Sequence, residues 1–81
     1  MTEDEIRPII NKLLKKVAPE TEPEKLKPDD NIQQTLAMDS FDYLQFIIGM
    51  DEEFGIKTPE EDYGRIMTLR DLLGYVMKIK K

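Results

Sequence analysis

The chain predicts an all-α fold: a four-helix bundle with a long first loop and a short third helix. Three observations carry this. Apolar residues recur at helical spacing in three stretches, helix-start signatures stand before them, and the alternation that strands require is scarce. Eighty-one residues make one domain, 1–81. A chain of that size buries roughly 60% of its unfolded surface, which leaves a single core with little margin.

The first helix is expected over about 3–17, with Ile6, Ile9, Ile10, Leu13, Leu14 and Val17 on one face. Thr2 and Glu5 form a capping-box pattern. Pro8 deletes a backbone bond, which predicts a bend there or an effective start near Ile6. Residues 18–39 read as a loop carrying Pro19, Pro23 and Pro28, with Leu26, Ile32 and Leu36 available to pin it to the core. Loops this long in small domains are often functional. Pro28-Asp29-Asp30-Asn31 reads as a turn, with a short helical turn near 32–36.

The second helix is expected over about 40–54, with Asp39 as its N-cap and Gly55 just past its end. Phe41, Tyr43, Leu44, Phe46, Ile47, Ile48, Met50 and Phe54 sweep a wide apolar arc, interrupted late by Asp51. Such an arc predicts burial on more than one side, with Phe41 and Ile48 at its edge. Thr58-Pro59-Glu60-Glu61 gives a cap, a proline in first position and an acid, so a short helix over about 59–64 follows. Thr68 and Asp71 open the last helix, about 68–79, which carries Leu69, Leu72, Leu73, Val76 and Met77. Gly74 weakens it by up to ~1 kcal/mol.

Composition excludes several functions. Without cysteine there is no disulfide or thiolate metal site, and without histidine the commonest general base and metal ligand are missing. Neither an enzyme nor a metal site is expected. Residues 39–62 hold eight acids against one base, a net of −7 compared with −5 for the whole chain. That surface repels nucleic acid and steers basic protein surfaces toward it. No apolar run approaches the ~20 residues of a membrane span. The acidic start Thr2-Glu3-Asp4-Glu5 is unlike a signal peptide, so a cytoplasmic, bacterial-type protein is expected. A processed organelle protein would read the same.

The most informative segment is Met38-Asp39-Ser40-Phe41-Asp42. It places a serine between two carboxylates at a helix start. With no imidazole to activate it, Ser40 reads as a substrate for modification by another enzyme.

Here the chain resembles the acyl carrier protein family. Asp39-Ser40-Phe41-Asp42, Phe54-Gly55-Ile56, Pro59-Glu60-Glu61-Asp62, Ile66-Met67-Thr68 and Asp71 follow that family's order and spacing, and Pro28-Asp29-Asp30 with Ile32 and Leu36 resembles its approach to the modification site. The resemblance implies that Ser40, flanked by Asp39, carries 4′-phosphopantetheine, transferred from coenzyme A by a Mg²⁺-dependent phosphopantetheinyl transferase. The chain would be a monomeric, non-catalytic carrier of acyl thioesters in fatty acid, polyketide or specialised acyl transfer. Phe41, Asp42, Gln45, Ile48, Asp51 and Glu52 would form a docking face for acyl-loading and acyl-transfer enzymes with basic surfaces. Phe46, Ile47, Met50, Ile56, Ile66 and Leu72 would line an acyl pocket, although bulky Phe46 and Tyr43 leave its size open. Departures from the family pattern are Phe41 for leucine, Gln45 for glutamate, Ala37-Met38 for a glycine-containing approach, and Thr58 for an apolar residue. They favour a dedicated pathway. An aminoacyl or peptidyl carrier, or a helical adaptor that never uses Ser40, are the alternatives.

Overall fold

In the computed structural model, which describes residues 2–80, α1 runs unbroken over Glu3–Val17. Pro8 neither delays nor interrupts it, contrary to the expectation of a start near Ile6. The Glu5 carboxylate accepts from the Thr2 backbone N–H at 2.9 Å and from its hydroxyl at 3.1 Å, fixing the first turn. These bonds, the backbone one foremost, hold the Glu5 carboxyl below its usual range.

A 3₁₀ turn at Pro23–Lys25 follows, then α2 (Ile32–Thr35), α3 (Ser40–Phe54), a second 3₁₀ turn at Glu60–Arg65, and α4 (Leu69–Ile79). The first helix is the hub, packing against α3, α4 and the first 3₁₀ turn. Ile6, Ile10 and Leu14 from α1 meet Phe46, Ile47 and Met50 from α3 and Leu69, Leu72 and Val76 from α4 in one core.

The long connection is tied down at both ends. Leu26, Ile32 and Leu36 are buried as the sequence suggested, and Met38 joins them. Arg7 reaches from α1 and donates through Nη2 to the carbonyls of Pro23 (3.1 Å) and Leu26 (3.0 Å). Further on, Asn31 and Thr68 form an antiparallel bridge. The Ile32 N–H donates to the Met67 carbonyl at 2.9 Å and the Arg70 N–H to the Pro28 carbonyl at 2.8 Å. The turn expected over 28–31 falls one residue earlier, over 27–30, closed by the Asp30 N–H donating to the Lys27 carbonyl at 3.0 Å.

Two expectations, the first and third, need correction, and one is refined. First, the apolar arc of α3 is not covered all round: Phe41, Leu44 and Ile48 are 58%, 40% and 42% exposed. The neighbouring helices cover the Phe46–Met50 side, and these three residues lie outside that contact. Second, the short third helix expected over about 59–64 is present as a 3₁₀ helix, Glu60–Arg65, with none of its residues buried. The bundle is therefore three main helices plus this short one. Third, Thr58 does not cap that turn; Pro59 occupies the cap position. Thr58 is buried instead, donating its hydroxyl to Asp51 Oδ1 at 2.6 Å and its N–H to Asp51 Oδ2 at 3.0 Å. A buried hydroxyl needs a partner, and Asp51 supplies it.

Candidate functional site

Ser40 is presented by a sharp reversal of the backbone. Ala37 adopts φ 52°, in the left-handed region, at a cost of roughly 1–2 kcal/mol for a residue with a Cβ. The chain thereby turns off α2, drops Met38 into the core and delivers Asp39 to the start of α3. The Met38 N–H, donating to the Gln33 carbonyl at 2.9 Å, secures the reversal. Asp39 then caps α3, its Oδ1 accepting from the Asp42 N–H at 2.8 Å.

Ser40 is the first helical residue and is exposed. Among the described residues its hydroxyl has no hydrogen-bond partner, and the nearest acid in sequence, Asp39, is committed to its cap. The geometry therefore supplies no base for Ser40. It does supply the positive end of a fifteen-residue helix, whose first amides lack intrahelical acceptors. An anion attached at this position would be favoured by that end of α3, against the repulsion of Asp39 and Asp42.

On one side of α3, Ser40 lines a groove of about 280 Å³ with Gln33, Tyr43, Leu44, Tyr63, Gly64 and Met67. On the other side, toward α1, lies a larger groove of about 490 Å³ that includes Leu13, Val17, Phe41, Gln45, Ile48 and Glu52. The expected docking residues thus divide. Phe41, Gln45, Ile48 and Glu52 are exposed along this second groove, and half-buried Asp42 joins them. Asp51 is separated from the set, because both of its carboxylate oxygens are taken by Thr58. Of the expected pocket residues, Phe46, Ile47, Met50, Ile66 and Leu72 are fully buried in the common core, and Ile56 is partly buried against it.

Polar clasps close the seam between α3, the second 3₁₀ turn and α4. The buried Tyr43 hydroxyl donates to the Ile66 carbonyl. Burial, with a smaller contribution from the charge of Asp71, pushes its phenol up to about 12. The Tyr75 hydroxyl donates to Asp62 Oδ2 at 3.3 Å, and burial is the main cause of its raised pKa. Sequence reasoning missed these clasps, yet two signals were present. Asp51 interrupts an apolar arc and Thr58 stands where the resembled family has an apolar residue; the two anomalies are one interaction.

Comparison with known proteins bears on the same residues. The family described as "Phosphopantetheine attachment site" matches residues 4–76. The chain belongs to this phosphopantetheine-binding family. Its cofactor is 4′-phosphopantetheine, and it is a carrier, not a catalyst. An acyl carrier protein of Thermosynechococcus vestitus is 33% identical over 55 residues, covering 68% of this chain and 68% of that one. One from Bdellovibrio bacteriovorus is 32% identical over 57 residues (70% and 73%), and one from Nitratidesulfovibrio vulgaris 34% over 53 residues (65% and 70%). Membership implies modification by a phosphopantetheinyl transferase. The exposed, unpartnered hydroxyl of Ser40 at a helix N-terminus fits such a group, because it leaves the oxygen accessible and places a phosphodiester charge at the favourable end of α3. No helix among the described residues is long and apolar enough to cross a membrane.

Proposed function

We propose that Ser40 is the attachment serine and that this carrier transports acyl groups within a dedicated acyl-transfer pathway. The observation that carries the reading is the site itself: an exposed hydroxyl without a partner, fixed at the start of α3 by the Asp39 cap and bordered by apolar side chains. The prosthetic group supplies a thiol on a flexible arm, to which an acyl group is joined as a thioester. In the installation step the Ser40 oxygen bonds to the phosphorus bearing the pantetheine of coenzyme A. The bond to the remaining nucleotide breaks, adenosine 3′,5′-bisphosphate leaves, and the serine proton passes to a base on the transferase. This chain's part is to present the hydroxyl and to hold the transferase.

Docking falls to Phe41, Gln45, Ile48 and Glu52, with Asp42 beside them. Exposed apolar side chains edged by acids suit weak, salt-sensitive association with basic enzymes. Phe41 and Gln45 change the shape and charge of that face relative to the resembled family, which supports dedicated partners over general fatty acid synthesis. The setting we assign is cytoplasmic and bacterial, in keeping with the relatives' organisms.

The test is an intact mass after incubation with coenzyme A, Mg²⁺ and a broad-specificity phosphopantetheinyl transferase. One phosphopantetheine adduct, absent from Ser40→Ala, is expected. A chain left unmodified by several transferases would support an adaptor instead. Phe41→Ala, Ile48→Ala and Glu52→Lys should each slow modification at unchanged thermal stability.

A further inference from the structure

Cargo attached through Ser40 has two routes: inward between the helices, or along the groove that Ser40 itself lines. The geometry points to the second. We propose that the carried group rests in the surface groove bounded by Gln33, Leu44, Tyr63 and Met67, and that the clasped seam keeps it out of the core. The cargo class follows: a short or bulky acyl group held accessible on the surface, in place of a long chain enclosed by the bundle. The proposal rests on Ser40 being the attachment point.

Continuity is the first argument. Ser40 is part of the groove wall, so the arm leaves the chain within the groove. Leu44 and Met67, 40% and 46% exposed, border it and gain most from being covered. Gln33 contributes an amide that can both donate to and accept from peptide-like groups.

The barrier is the second argument. A chain entering between α3 and the 58–67 segment meets Tyr43, whose buried hydroxyl is bonded to the Ile66 carbonyl. Beyond it, Thr58 is held by Asp51 and Tyr75 by Asp62. Opening the seam would leave a phenol, a carbonyl and a threonine hydroxyl facing hydrocarbon without partners, an outcome that folded proteins avoid. Ile47, Met50 and Leu72 lie fully buried behind it.

The experiment loads the full chain from butyryl-, octanoyl- and palmitoyl-coenzyme A with a broad-specificity transferase, confirms each product by intact mass, and follows methyl NMR shifts and thioester hydrolysis. Shifts at Leu44 and Met67 are expected for every cargo, with Ile47, Met50 and Leu72 unmoved and hydrolysis close to that of the matching acyl-pantetheine. Cargo enclosed for nine-tenths of the time would hydrolyse about tenfold more slowly. That slowing, or core shifts growing with chain length, overturns the proposal. Tyr43→Phe removes the first clasp at nearly constant volume and should let octanoyl cargo perturb Ile47 and Leu72; an unchanged spectrum would contradict the clasp. Leu44→Ala, at an exposed position, should weaken the Met67 shift. A chain that takes up no acyl-pantetheine contradicts the Ser40 reading, whereas a loaded chain with core shifts contradicts only this one.

Discussion

The two connections on either side of α3 invert what their sequences suggest. Residues 18–39 are long, charged and broken by prolines, yet they contribute Leu26, Ile32, Leu36 and Met38 to the core and are fastened by Arg7 and by the bridge to Thr68. Residues 55–68 are shorter and carry a strong helix-start signature, yet they send only Ile66 fully into the core, and their 3₁₀ turn, with no buried residue of its own, is held by polar clasps. Order follows from buried anchors more than from loop length or local propensity. The two connections meet beside Ser40, so one wall of its surroundings is fixed mainly by several buried apolar anchors and the other by Ile66 together with the Tyr43, Thr58 and Tyr75 hydrogen bonds.

The largest expected effect tests the packed side. Ile32→Ala should lower stability by about 3 kcal/mol, as for other buried aliphatic truncations, read from urea unfolding. A loss no larger than that of a surface substitution would show the long connection to be merely draped on the core. For the clasped side, the Tyr43 phenol gives a pH signature. Its folded pKa is raised to about 12 from an ordinary value of 10, so the folded chain holds this proton more tightly. Its contribution is complete below about pH 10 and is lost as pH rises to about 12, by about 3 kcal/mol. Tyr43→Phe should flatten that part of the alkaline unfolding curve.

Thr58→Val removes only the hydroxyl arm of the Asp51 clasp and should cost about 1 kcal/mol. Hydrogen exchange should quicken chiefly over residues 58–66, leaving 26–36 protected. Equal quickening in both connections would erase the contrast between them. The smallest effect belongs to Ala37→Gly, which relieves the left-handed strain but adds freedom to the unfolded chain. A gain of about 0.5 kcal/mol is expected, and a loss would mean that the freedom added to the unfolded chain outweighs the strain at Ala37.

How much was legible in the sequence varies with the physics. Helix limits were readable where the cap is local: the Asp39 and Thr68 side chains start α3 and α4, and the left-handed backbone of Gly55 ends α3, as their sequence neighbours suggested. Ser40 could be singled out because its place at the start of α3 is set by the adjacent residues Asp39 and Asp42, whereas the groove it lines comes mostly from distant ones. Thr58 misled, since its local pattern is that of a cap while its hydroxyl is claimed by Asp51, seven residues earlier. Arg7 was unreadable for the same reason: its partners lie 16 and 19 residues away. Leu44 shows the limit of periodicity, which states which residues share a face but not whether another helix covers it.

The most direct test of the account is peptide-level localisation of the adduct after reaction with coenzyme A and a phosphopantetheinyl transferase. One phosphopantetheine per chain is expected, on Ser40 and no other residue, and none on Ser40→Ala. An adduct on another serine, threonine or tyrosine, or one that survives in Ser40→Ala, would contradict it.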